Sequence, residues 1–253
     1  MAHDPIYHSL VESLKKPGCA VCRVTKHKVH SYLDALLYEN VNDSGTRVML
    51  RGAHGFCHKH AWEAATLRDA FGLAILYRDV ITVIAKDLTR AQDRLPGATS
   101  GLLRREPASP GQASARRLTA RRPCPACTVE ADVADTSLTM LVQRLDDIEM
   151  GQAFATSHGL CLPHLRRALA LAQNAQVVEA LLAKQARVLD GLAGELSEFI
   201  RKHDYRFSKE GFGTEGDAYM RAIAILVGAA DGDAPEVGFP TPDQAIPPQT
   251  SEE

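Results

Sequence analysis

Two short motifs, CAVC at residues 19–22 and CPAC at residues 124–127, each precede a Cys-x2-His pair by a long interval. The pair is CHKH at residues 57–60 in the first case and CLPH at residues 161–164 in the second. The intervals span residues 23–56 and 128–160, and the four motifs contain all six cysteines of the chain. The pattern Cys-x2-Cys, long interval, Cys-x2-His therefore occurs twice.

The duplication extends beyond these motifs. A shift of 105 residues places the first Cys-x2-Cys on the second and also places Leu33 on Leu138 and Leu36 on Leu141. A shift of 104 residues places HGFC at 54–57 on HGLC at 158–161. Because ligand-like and core-like residues repeat together, the sequence predicts two related modules.

Helix signals dominate both copies, and runs of alternating β-branched residues are lacking, so the predicted fold class is all-α. Pro17-Gly18 separates the first two helices, and Leu33, Leu36 and Leu37 share one face of the second. The predicted architecture is two pseudo-repeat helical modules, each held by a Cys3His metal site, plus a C-terminal helix. Helices are expected over residues 5–16, 20–39, 44–52, 56–94, 125–145, 147–155, 162–203 and 215–226.

Composition suggests where the modules end. Residues 1–94 and 123–230 form the two predicted modules. The segment 95–122 is rich in Pro, Gly and Arg and is predicted to be a flexible basic linker, while the acidic, proline-rich segment 231–253 is predicted to be disordered. We do not expect the linker to bind nucleic acid, because arginine runs of this kind are ordinarily solvated.

The whole-chain properties narrow the functional classes. The chain has 253 residues, of which 45% are hydrophobic and 24% charged, with a formal net charge of −2. No apolar run is long enough for a membrane helix, and the first residues lack the pattern of a secretory signal. We therefore expect a cytoplasmic protein with no membrane association, in which the thiols stay reduced and a disulfide framework is disfavoured.

The repeated motifs have the spacing of metal-binding half-sites. A residue and the third residue after it share one face of a helix, so each motif can direct two donors at one ion. Two half-sites supply Cys3His, which satisfies tetrahedral zinc, and an iron–sulfur cluster is the alternative. Pairing can occur within each copy or crosswise between copies. The predicted metal ligands are Cys19, Cys22, Cys57, His60, Cys124, Cys127, Cys161 and His164.

Other residues near these motifs have structural interpretations. His54 and His158 stand three residues before a ligand cysteine and are interpreted as helix-start residues whose imidazoles face water or cap the turn. The alternative is that they support a ligand by hydrogen bonding or supply a fifth ligand to an open site. Trp62 is expected in the core or as a shield over the site rather than as a stacking platform. The segment 199–207, with His203, Asp204 and Arg206, is interpreted as the connection that docks the last helix, with Tyr205 and Phe207 in the core, and a ligand site there is the alternative.

The motifs GFCHKHAW at 55–62, GLCLPH at 159–164 and FIRKHDYRF at 199–207, together with the two Cys-x2-Cys pairs, resemble an uncharacterised bacterial family. That family is classed only as a domain of unknown function, and the resemblance covers most of residues 5–230. It implies a cytoplasmic bacterial protein whose repeated cysteines and histidines act together, and it implies no reaction.

These observations favour a zinc-binding helical protein with two structural sites, acting as a scaffold or through a protein partner. The alternative is a redox protein, either an iron–sulfur carrier or a zinc-thiol sensor. An enzyme is not favoured, because a site with four protein ligands leaves no open position for substrate. We identify no catalytic residues.

Overall fold

The computed structural model describes residues 5–93, 109–207 and 209–229. In these residues the protein contains eleven α-helices, two short 3-10 helices and no strand, which confirms the all-α prediction. None of the helices in the described residues combines the length and apolar character needed to cross a membrane.

The helices follow the two copies of the repeat. The first copy contains α1 (Pro5–Leu14), α2 (Ala20–Glu39), α3 (Ser44–Ala53), α4 (His58–Thr66) and α5 (Ala70–Gln92). After α6 (Pro110–Arg117), the second copy contains α7 (Pro125–Gln143), α8 (Ile148–Thr156), α9 (Leu162–Leu171), α10 (Ala175–Lys202) and α11 (Ala218–Val227). The 3-10 helices are Tyr205–Phe207 and Thr214–Asp217.

The compact units of the chain differ from the consecutive modules 1–94 and 123–230 that the sequence predicted. One unit, here called the continuous unit, comprises residues 27–132, and the other, the split unit, comprises residues 1–26 and 133–253. Helices α2 and α7 each begin in one unit and end in the other. Val21 and Val24 at the start of α2 belong to the core of the split unit, whereas Val29 and Leu33 belong to that of the continuous unit.

The split unit has a core assembled from both of its chain segments. Helix α1 packs on α8, and α10 contacts both α9 and α11. Leucines from the first segment are as completely buried as those from the second. The fully or nearly fully buried side chains of this core include Leu10, Leu14, Val21, Leu138, Leu141, Met150, Leu160 and Leu181.

The continuous unit is centred on α5, which contacts α3, α4 and α6. Leu33, Leu36 and Leu37 are buried together on α2, which confirms their predicted shared face. Asp79 on α5 accepts hydrogen bonds from Arg47 at 2.7 Å and Arg51 at 3.0 Å, both on α3. These bonds fix α3 on α5 beside the apolar core.

The two longest predicted helices, over residues 56–94 and 162–203, are each interrupted. Arg68 adopts a left-handed conformation, with φ at 61°, and separates α4 from α5. Asp69 then caps α5 by accepting a hydrogen bond from the Gly72 amide at 2.9 Å. In the second copy, Asn174 caps α10 by accepting from the Gln176 amide at 2.8 Å. Local capping outweighs the helix propensity that suggested continuous helices.

The predicted flexible linker contains a helix. Helix α6 begins with a reciprocal capping box in which Ser109 and Gln112 each bond the other's backbone amide. Residues 95–108 of the linker and the predicted disordered tail, 231–253, lie outside the described residues. The final helix, predicted over residues 215–226, begins at Ala218 after a short 3-10 helix.

The left-handed Arg68 yields a stability prediction. Glycine accepts this conformation without the contact between Cβ and the following carbonyl, so Arg68→Gly should stabilise the protein by about 1 kcal/mol. Thermal denaturation followed by circular dichroism should show a midpoint about 2–4 °C higher. The matched control, Arg78→Gly inside α5, removes the same charge and should destabilise by about 1 kcal/mol. A fall in midpoint for Arg68→Gly would contradict the assigned conformation.

Candidate metal centres

The structure gathers the predicted ligands into two groups, and both pair crosswise between the repeats. Cys19 and Cys22 meet Cys161 and His164 in the split unit, and the Cys57 half-site meets the Cys124 half-site in the continuous unit. Within each group the four donor atoms lie within 4.8 Å of one another. Each group could therefore hold one metal ion.

All four half-sites have the same construction at the start of a helix. The first cysteine directly precedes α2, α4, α7 or α9, and the second donor lies in the first turn of that helix. The first cysteine's carbonyl accepts the amide four residues later, at 3.3 Å for Cys19, 2.9 Å for Cys57, 3.2 Å for Cys124 and 2.8 Å for Cys161. The positive end of the helix dipole thus faces each thiol and favours the thiolate.

The donor spacing in the split unit fits a single tetrahedral ion. His164 Nδ1 lies 3.5 Å from Cys19 Sγ, 3.4 Å from Cys22 Sγ and 3.1 Å from Cys161 Sγ. The sulfurs of Cys22 and Cys161 are 3.6 Å apart. Zinc bond lengths in a regular tetrahedron give edges of about 3.6 Å for S···N and about 3.8 Å for S···S.

The continuous unit has the same spacing. His60 Nδ1 lies 3.3 Å from Cys57 Sγ, 3.7 Å from Cys124 Sγ and 3.4 Å from Cys127 Sγ. The sulfurs of Cys57 and Cys127 are 3.5 Å apart. Both centres therefore present three sulfurs and one Nδ1 to a common point.

A carboxylate supports the histidine of the continuous unit. His60 is fully buried, and its outer nitrogen Nε2 lies 3.4 Å from Glu130 Oε2. Lys59 bonds the other oxygen of the same carboxylate. A carboxylate at this place favours the tautomer with a proton on Nε2 and a free lone pair on Nδ1. Sequence reasoning missed Glu130, although it stands three residues after Cys127 and so shares that helix face.

The glycines before Cys57 and Cys161 allow close packing against neighbouring helices. Gly55 has φ at 93° and Gly159 at 73°. A Cβ on Gly159 would stand 2.7 Å from Gln185 Oε1, which accepts the Leu160 amide at 3.1 Å. A Cβ on Gly55 would stand 3.2 Å from Tyr77 Cε1. The glycines therefore admit α5 and α10 beside the half-sites, a role that the sequence did not reveal.

The closely spaced donors of the split unit differ in their pKa values, so some of them hold protons more strongly than others. Hydrogen bonds from Cys161 and Cys22 lower the pKa of Cys19, and bonds to Cys19 and Cys22 raise the pKa of Cys161. Burial acts against a charged His164, but its bonds to Cys19 and Cys22 and their charges raise its pKa to about 9. The metal-free site therefore retains protons at neutral pH.

The thiols of the continuous unit also have pKa values shifted in opposite directions. Burial acts against a Cys57 thiolate, yet the His60 amide and the Cys127 and Cys124 thiols hydrogen-bond it, and its pKa is lowered. Burial, the bond to Cys57 and the charge of Cys124 raise the pKa of Cys127 to about 12. Cys127 is therefore the thiol that a metal must deprotonate here.

The remaining predicted residues lie outside both donor groups. His54 is the C-cap of α3, in a left-handed conformation with φ at 57°, and so does not stand at a helix start. Burial, followed by the charge of Lys184, lowers the pKa of His158. Trp62 is 67% exposed, so the prediction of a core position is wrong.

The segment 199–207 pairs its polar groups locally. The His203 ring packs 4.3 Å from the Phe199 ring, between centroids, and Asp204 binds Arg206 at 2.6 Å. Arg221 on α11 bonds Asp217 at 2.7 Å. These contacts agree with a segment that docks the last helix, but Tyr205 is 85% exposed and not in the core.

Metal binding should depend steeply on pH. At pH 7 the Cys127 thiol, with a pKa of about 12, and His164, with a pKa of about 9, hold protons that a metal must displace. Because both pKa values are raised, the apparent affinity should rise with pH between 6 and 8, by about tenfold per unit for each proton released. Calorimetric titrations with Zn²⁺ in buffers of different ionisation enthalpy should report this release, and buffer-independent heats would contradict it.

Glu130 should raise the Zn²⁺ affinity of the site in the continuous unit and leave that of the site in the split unit unaltered. Glu130→Gln preserves side-chain volume but removes the charge beside His60, so Zn²⁺ affinity at the continuous unit should fall about 10- to 100-fold. Competition with a chromophoric chelator should show one weakened site and one unchanged site. The control Glu63→Gln on α4 should leave both affinities unaltered, and equal weakening of both sites by Glu130→Gln would contradict the assignment.

Comparison with other sequences identifies the family of the chain. Residues 7–233 match a sequence family described as a family of unknown function (DUF6062). No curated protein and no solved structure matches the chain. Since the family match covers both Cys-x2-Cys pairs and both Cys-x2-His pairs, the chain belongs to this family of unknown function.

Proposed function

We propose that this chain is a zinc-binding helical protein whose two Cys3His sites are structural and which acts as a non-catalytic scaffold or through a partner. The observation that carries the proposal is the convergence of four donors on one point in each unit. We also place the chain in the cytoplasm, because thiols stay reduced there and remain available as metal ligands.

The donor chemistry supports zinc. Thiolates and imidazoles are preferred by zinc, whereas magnesium and calcium prefer oxygen ligands. In a [4Fe–4S] cluster the ligands bind different irons, so they must surround a larger object than one ion. Donor atoms within 4.8 Å of one another therefore favour a single ion over a cluster.

The closed ligand sets support a structural role. Four protein donors complete a tetrahedron, whereas catalytic zinc sites keep a position for water. Each site also joins distant parts of the chain, since 139 positions separate Cys22 from Cys161 and 70 separate Cys57 from Cys127. Bridging such long loops restricts the unfolded chain strongly, so metal binding should contribute directly to folding.

A zinc-thiol redox sensor is the second candidate, and the Cys57–Cys127 pair favours it. Both thiols are partly exposed, and their sulfurs are 3.5 Å apart. In this reaction the two thiolates lose two electrons and form a disulfide, while a peroxide takes up those electrons and two protons to give two waters. Loss of two ligands would release Zn²⁺ from the continuous unit.

The crosswise pairing predicts a specific pattern of metal loss. The wild-type protein should hold two zinc ions, and either Cys22→Ser or Cys161→Ser should leave one. Combining these two changes should still leave one ion, because both residues serve the same site. Cys22→Ser combined with Cys57→Ser should leave none. Elemental analysis of the purified variants measures each stoichiometry.

Pairing within each repeat would reverse the two double variants, leaving one ion with Cys22→Ser/Cys57→Ser and none with Cys22→Ser/Cys161→Ser. Helical circular dichroism after chelation supplies an independent measurement of the structural role. Chelation should reduce the helical signal, and an unchanged signal would contradict a folding role for zinc. Stoichiometric iron and sulfide in anaerobically purified protein would contradict zinc altogether.

A further inference from the structure

Charge is divided unevenly between the two units. Residues 27–132 contain 15 Lys and Arg against 11 Asp and Glu, whereas the residues of the split unit contain 14 against 20. The near-neutral chain thus consists of a basic continuous unit and an acidic split unit. A basic unit of this kind attracts polyanions even though the whole chain has little net charge.

Four arginines of the continuous unit stand within a short, described stretch of its sequence. Arg116 and Arg117 form the last turn of α6, and Arg121 and Arg122 follow directly before the half-site at Cys124. All four arginines are exposed. In the part of the chain that the structure describes, no carboxylate pairs with any of them, and residues 109–123 include no Asp or Glu.

Backbone contacts hold this arginine cluster in position. The amides of Arg121 and Arg122 both donate to the Gly52 carbonyl at the end of α3, at 2.9 and 3.1 Å. The Arg122 side chain also passes so close to Gly52 that a Cβ there would stand 3.0 Å from Arg122 Cδ. Helix α6 itself contacts α5. These contacts and the helix over residues 110–117 order this part of the segment that the sequence predicted to be a flexible linker.

An exposed aromatic side chain accompanies the arginines. Trp62 is 67% exposed and stands two residues after His60, while Arg122 stands two residues before Cys124. His60 and Cys124 are donors to the same centre, with 3.7 Å between Nδ1 and Sγ. The His60–Cys124 contact therefore joins α4, which carries Trp62, to the segment that carries Arg122, while Trp62 itself lies on a different face of α4 from His60.

We infer that the continuous unit binds single-stranded nucleic acid, with the four arginines on phosphates and Trp62 stacking on a base. Arginine matches phosphate geometry with two parallel hydrogen bonds. An exposed tryptophan in the same unit as these cations suits unpaired bases, which offer a free face for stacking. The inference uses the metal centre only as the support that places these groups, and so it rests in part on the proposed structural zinc.

The test is a titration of the full-length protein with fluorescein-labelled single-stranded oligouridylate of about 20 nucleotides at several salt concentrations. Four phosphate contacts predict a slope of about −3 for the logarithm of the association constant against the logarithm of the salt concentration. Binding should therefore weaken about 50-fold between 50 and 200 mM salt. Trp62 is the sole tryptophan, so oligonucleotide binding should also quench the intrinsic fluorescence. Trp62→Leu should weaken binding about 5- to 100-fold.

Paired variants assign the contacts. Arg116→Gln/Arg117→Gln and Arg121→Gln/Arg122→Gln should each reduce the steepness of the salt slope by about 1.4, and the quadruple variant should lose nearly all salt-dependent binding. The control Arg166→Gln/Arg187→Gln removes the same charge from the split unit and should leave binding unchanged. Circular dichroism and metal content verify that every variant is folded.

Several results would overturn the inference. These are absence of salt-dependent binding, an unchanged slope in the folded quadruple variant, or equal weakening by the control pair. Tighter binding to poly-glutamate than to the oligonucleotide would also overturn it and indicate an acidic protein partner. Salt-dependent binding by a chain that holds no zinc would support the inference while contradicting the structural-zinc proposal.

Discussion

The structure depends on one electrostatic arrangement, in which the starts of two helices face each other across a set of three sulfurs and one imidazole. Helix dipoles and backbone amides favour thiolates at these ends, but several thiolates in one small volume repel one another. Burial and the neighbouring sulfurs raise the pKa of Cys127, and, although burial acts against it, bonds to Cys19 and Cys22 raise the pKa of His164, so these donors hold protons at neutral pH. A divalent cation in either group would replace such protons with a central charge that all four donors could contact.

The sequence predicted the helical class and the eight cysteines and histidines that the structure groups, because two residues three positions apart lie on one face of any helix. Whether the half-sites pair within or between copies could not be predicted, since all four half-sites offer similar donors. In the structure α2 starts in the split unit, which contains Cys19, and ends in the continuous unit, which contains Cys57. The length of α2 could be predicted from the sequence, but the unit to which each half-site belongs requires the tertiary structure.

Other features were missed because they depend on single side chains in unusual surroundings. Arginine carries no general signal for a left-handed conformation, so the break at Arg68 was read as continuous helix. Gln185 supports the backbone before Cys161 from a helix that lies 25 residues further along the chain from Leu160. The capping box at Ser109 starts α6 inside a segment whose Pro, Gly and Arg content is typical of a flexible linker.

The division into a split and a continuous unit constrains how the protein can be made. Helix α1 and the start of α2 have their core partners and their second half-site only after residue 133. During synthesis, the first 26 residues must therefore remain without their final contacts while the whole continuous unit emerges from the ribosome. The last predicted ligand of the continuous unit is Cys127, so this unit can fold once that residue has been made. The order of synthesis therefore favours folding of the continuous unit before the split unit.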